Sequence, residues 1–82
     1  MPEIARFYGI VVKIYFRDHA PTHFHASYAE HVAVFNMRTL HIMEGNVPKR
    51  AHTMLLEWAR MNQAELLTMW ESQKFHKLPP LE

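Results

Sequence analysis

The spacing of apolar residues changes once along this chain, and that change limits what it can fold into. Up to about residue 43 they recur at every second position; beyond Pro48 they recur every three or four. In YGIVVKIYFRD, Ile10, Val12, Ile14 and Phe16 alternate with Val11, Lys13, Tyr15 and Arg17. β-branched and aromatic residues at period two predict a strand. HAPT follows, and Pro21 suits a turn because it has no N–H for a central ladder. HFHASY alternates again, with Phe24, Ala26 and Tyr28 set against His23, His25 and Ser27. Ala29-Glu30 reads as a tight turn, HVAVFNM as a third strand and TLHIM as a short fourth.

The helical half begins after Gly45 and Asn46, which break the strand pattern. Asn46 is the expected N-cap, and Pro48 fits the first helical turn. Ala51, Met54, Leu55, Trp58 and Ala59 then recur at helical spacing. Asn62 and Glu65 have the form of a capping box. They predict the start of a second helix with Leu66, Leu67 and Trp70 on its inner face; one helix kinked near Asn62 is the alternative. Pro79-Pro80 ends any helix. The expected fold class is therefore α+β: a four-stranded antiparallel sheet in ββββαα order, with two C-terminal helices on one face. One domain spans residues 1–76, and 77–82 form an extended Pro-rich tail.

Length and composition narrow the function. The chain has 82 residues, enough for one small domain. Hydrophobic residues are 49% and charged residues 21%, a globular rather than a disordered balance. The net charge of +1 gives no bulk argument for nucleic-acid binding. There is no cysteine, hence no disulfide and no thiolate nucleophile or ligand. MPEIARF does not read as a signal peptide, and no run approaches the ~20 apolar residues that span a bilayer. A soluble cytoplasmic protein, not a membrane protein, is expected.

DHAPTHFHA is the densest chemistry in the chain, with three of its seven histidines. A symmetric hairpin loop over residues 18–22 would pair Arg17 with His23, Tyr15 with His25 and Lys13 with Ser27. Opposed residues share a face. One face then carries Lys13, Tyr15, Arg17, His23, His25 and Ser27, and the other carries Val12, Ile14, Phe16, Phe24, Ala26 and Tyr28. The apolar face should take the helices, with Trp58 and Trp70 as the large packing groups. Continuing through the Ala29-Glu30 turn sets Val32 and Val34 beside Ser27 and His25, so the outer face is half apolar, as a partner-binding surface would be.

Three chemistries compete for this face. His-x-His on a strand suits a divalent metal, with Asp18 or His19 as a further ligand, but no complete ligand set can be named and no metal is assigned. His23 and His25 could instead act as an acid–base pair near neutral pH, with Lys13 or Arg17 stabilising developing phosphorane charge and Tyr15 stacking on a base or donating a proton. The third reading is a solvated face beside a turn. Lys49, Arg50 and His52 open the first helix, where cations oppose the helix dipole, a small cost consistent with phosphate or acidic-partner contact. Met37, Met43, Met54, Met61 and Met69 fill core gaps or, where exposed, face a partner.

MPEIARFYGIVVKIYF, DHAPTHFHASY, EGNVPKRA and LEWARMNQAELLTMW, in that order, resemble the bacterial domain-of-unknown-function family four-one-six-zero. Members often carry proline where Thr22 stands and glycine where Ala29 stands. Many are encoded beside a small protein of domain-of-unknown-function family two-four-four-two. The resemblance implies the toxin half of a toxin–antitoxin pair and supplies no catalytic residues. The leading expectation is thus a toxin acting on RNA through His23, His25, Tyr15, Arg17 and Lys13. His19, Lys49, Arg50, Val32 and Val34 would assist binding, and no cofactor is implied. Its partners would be a cognate small antitoxin-like protein and RNA, with a homo-oligomer compatible. A non-enzymatic protein- or nucleic-acid-binding module is the alternative, and a His-based metal-binding protein the third.

Overall fold

The computed structural model describes residues 3–15 and 19–81. Five strands precede one helix: β1 Glu3–Phe7, β2 Ile10–Lys13, β3 His23–Tyr28, β4 His31–Asn36, β5 Ile42–Gly45 and α1 Lys49–Ser72. The strands form an antiparallel meander in sequential order β1-β2-β3-β4-β5. The architecture is α+β as expected, but the sheet has five strands rather than four, and one helix replaces two.

The extra strand is EIARF, which lies before the alternating run. It turns into β2 through Tyr8 and Gly9, both at positive φ (49° and 81°). Two consecutive positive-φ residues make the two-residue turn whose twist matches that of paired strands. The Tyr-Gly pair therefore ends one strand and starts the next. β2 in turn stops at Lys13 rather than running on to Arg17.

The single helix follows from the phase of its apolar stripe. Ala51, Leu55, Trp58 and Ala59 are buried before Asn62, and Leu66 and Met69 are buried after it. These spacings keep one helical period across the junction, so a break would rotate half of the stripe away from the core. Asn62 does not cap a new helix. Its Nδ2 donates to the Trp58 carbonyl at 2.9 Å, one turn back. At the other end the N-cap is Pro48, not Asn46, whose Oδ1 accepts from the Val47 N–H at 2.9 Å. Gln73, at φ 59°, closes the helix with its N–H on the Met69 carbonyl at 2.9 Å.

α1 covers one face of the sheet. Phe24 and Phe35 stack at 5.2 Å between centroids, and Trp58 meets Phe24 at 6.0 Å and Phe7 at 5.6 Å. Val12, Ile14, Ala26 and Ala33 complete the sheet side of this core. The tail docks rather than trailing. The Leu78 N–H donates to the Ile4 carbonyl at 2.8 Å, Trp58 Nε1 donates to the Pro79 carbonyl at 2.9 Å, and Leu78 and Leu81 are buried.

Candidate functional site: the imidazole face of the sheet

The face opposite α1 is built by pairing register. Lys13 is opposite His25, which is opposite Val34, which is opposite Glu44. Val11, Ser27 and Val32 form the next row. The expected pairing of Lys13 with Ser27 is thus displaced by two residues: β2 ends at Lys13, and Lys13 is opposite His25. A shift of two leaves every side chain on its expected face, since side chains alternate with period two. Val32 and Val34 lie beside Ser27 and His25 as anticipated.

His25 is the centre of the arrangement. The Tyr15 ring stands edge-on to it at 4.6 Å, and the His23 ring at 5.2 Å. Two adjoining concavities share it. One, of about 170 Å3, is lined by Val11, Lys13, Tyr15, Ser27 and Val32. The other, of about 300 Å3, is lined by His19, Pro21, His23, Val34, Met43 and Glu44. Lys13, Tyr15, His19, His23, His25, Val32 and Val34 are therefore gathered on one strip.

His23 differs from an open-face histidine. It is the first residue of β3, it is 8% exposed, and its ring lies 5.0 Å from that of Trp70 on α1. Its Nδ1 is 2.7 Å from the Pro21 carbonyl. A carbonyl only accepts, so Nδ1 is the donor in this contact. That contact orients the imidazole as a second group orients a catalytic base.

Other expected residues stand apart. Phe16, Arg17 and Asp18 lie outside the described residues, and with them the pairing of Arg17 with His23. Lys49 and Arg50 are exposed at the start of α1; Arg50 lines a separate concavity with Tyr8, Tyr28 and Glu57. Among the described residues, no three His, Asp or Glu side chains are grouped to hold a metal ion.

Glu44 was missed at the sequence level, for a geometric reason. Alternation along TLHIMEG puts Glu44 on the same face as Ile42. The register between β4 and β5 shifts between Val34 and Phe35, so Ile42 pairs with buried Phe35 while Glu44 pairs with Val34 on the open face. One inserted residue inverts the pattern beyond it. No turn residue or composition change marks the irregularity in the sequence.

A small α+β protein with one helix-covered sheet face and one histidine-lined open face is the class that fold and site define. Within it, the chain belongs to the family described as domain of unknown function (DUF4160), which matches residues 9–71. No curated protein and no solved structure matches the chain. Among the described residues, no helix is long and apolar enough to cross a membrane.

Proposed function

We propose that this protein is the toxin half of a bacterial two-component toxin–antitoxin module, and that its open sheet face engages RNA. The observation that carries the reading is the cluster around His25: Tyr15 at 4.6 Å, His23 at 5.2 Å and Lys13 directly across the strand pair. An uncovered sheet face with aromatic and cationic groups is a recurring way of holding unstacked bases and the phosphates between them. Tyr15 and His25 supply ring faces and edges, Lys13 a phosphate contact, and Val32 and Val34 apolar surface. A small antitoxin-like partner, from the neighbour family named above, would silence the protein by covering this face.

Cleavage would use the imidazole pair. One ring takes the proton of a ribose 2′-hydroxyl as its oxygen attacks the adjacent phosphorus, and the other protonates the departing 5′-oxygen. Lys13 stabilises the charge gathered on the phosphoryl oxygens. Arg17 is assigned the same role. The burial of His23 against Trp70 favours a second reading, in which the face holds RNA without cutting it.

Expression in a bacterial host tests both. The protein alone should arrest growth, and co-expression of the neighbouring small protein should relieve the arrest. His25→Ala and Lys13→Ala should abolish toxicity while the circular-dichroism spectrum and melting temperature stay near wild type. His23→Ala, if folded and still toxic, leaves the binding reading and removes the acid–base one. Unimpaired growth with the wild-type chain expressed alone overturns the toxin assignment.

A further inference from the structure

A further concavity, of about 370 Å3, lies between α1 and the β4–β5 connection. Leu40, Ile42 and Leu56 supply its apolar lining, and His41, His52 and Arg60 its polar groups. Among the described residues no carboxylate lines it. None of these six residues lines either concavity of the imidazole face.

The wall of this cleft is held in place by its own hydrogen bonds. Asn36 Oδ1 accepts from the Arg38 and Thr39 N–H groups at 2.7 and 3.1 Å, and the Leu40 N–H donates to the Asn36 carbonyl at 2.7 Å. From α1, Gln63 Nε2 donates to the Met37 and Arg38 carbonyls at 2.8 and 2.9 Å. The connection is thereby fastened to the helix before any ligand arrives, which reduces the ordering cost of binding. The His52 ring packs 5.6 Å from Phe35 and is half-buried. The Arg60 guanidinium makes no ion pair among the described residues.

We infer that this cleft binds a small amphipathic oxyanion, a phosphate or carboxylate head on an apolar body. Arg60 meets the head with parallel N–H donors, the geometry a guanidinium offers to either oxyanion. The two imidazoles add donors when protonated, and Leu40, Ile42 and Leu56 take the body. The volume lies at the small end of ligand pockets, about 300–1,000 Å3. An apolar lining with one guanidinium, two imidazoles and no carboxylate is complementary to such a molecule and less so to a bare inorganic ion. The inference stands apart from the RNA reading, because the two sites share no lining residue.

The test is a nitrogen-15 NMR titration of the whole chain with phenyl phosphate, benzoate, inorganic phosphate and benzyl alcohol. Phenyl phosphate or benzoate should move the amide signals of His41, Ile42, His52 and Leu56 while those of Lys13 and His25 stay still. The tighter of the two identifies the head group. Arg60→Gln, at an exposed position, should weaken binding about tenfold, the low end for a hydrogen bond to a charged group. Lys74→Gln removes the same charge outside the cleft and should not weaken it, and His25→Ala should leave it unchanged. The inference is overturned if neither anion shifts these signals or if Arg60→Gln binds like wild type. Equal affinity for benzyl alcohol or for inorganic phosphate overturns it as well.

Discussion

At the scale of single residues, three positions carry measurable consequences. Gly45 sits at φ +71°, and a Cβ there would stand 2.1 Å from the Val32 carbonyl oxygen. That oxygen is backbone in β4 and cannot move without its strand. Gly45→Ala should therefore destabilise the fold by about 3 kcal/mol, combining left-handed strain with overpacking, as a urea melt would read. Ala29 is the converse: it turns the β3–β4 hairpin at φ 53°, a conformation that costs a residue with a Cβ. Ala29→Gly should raise stability by about 1 kcal/mol in the same melt. Glu3 gives a pH signature. Hydrogen bonds from Arg6, at 2.8 and 3.2 Å, hold its carboxyl below the usual glutamate range. Partial desolvation opposes this shift, and the charges of Arg6, Lys77 and Lys13 add to it. Because the folded value is depressed, the pair's contribution is present above the ordinary carboxylate range and is lost as pH falls through the folded value. Arg6→Gln should return the Glu3 carboxyl resonance to a higher titration midpoint.

At the scale of elements, the core is held by α1 and the docked tail together. Trp58 joins them, packing on Phe7 and Phe24 while its indole N–H is spent on the Pro79 carbonyl. Trp58→Phe keeps an aromatic ring but leaves that carbonyl without its donor, and should cost about 1–3 kcal/mol in thermal or urea unfolding. It should also speed proteolysis of the tail. The elements were unevenly legible in the sequence. The alternation in HFHASY and HVAVFN gave β3 and β4 with their faces, because one side packs against a helix and the other does not. The β3–β4 turn at Ala29-Glu30 followed from their spacing. EIARF gives only a weak strand signal because it is short; the turn that separates it from β2 is made by Tyr8 and Gly9, both at positive φ. Asn62 and Glu65 matched a capping pattern that the buried stripe overrode, since Leu66 and Met69 stay in phase with Trp58. Among the site residues, Lys13, Tyr15, His23, His25, Val32 and Val34 were legible because a two-residue register error preserves faces. Glu44 was not, because the irregularity opposite Val34 reverses them.

At the scale of the whole molecule, one helix and one sheet make two layers; α1 covers one sheet face and reaches the other at His23, through Trp70. Val32 is 55% exposed there and Met43 40%, flanking the His25 cluster on its two sides. A half-apolar, imidazole-lined face on a chain of 82 residues is surface suited to burial against a partner; under the proposed function that partner would be RNA in the active state and the antitoxin in the silenced one. The most direct test is a nitrogen-15 NMR titration with a short single-stranded RNA at low and at moderate salt. The account predicts shifts at Lys13, Tyr15, His25, Ser27 and Val34, weakened by salt as phosphate contacts are screened and lost in His25→Ala. Shifts confined to the exposed side of α1, around Glu57 and Met61, or no binding at low salt, would contradict it.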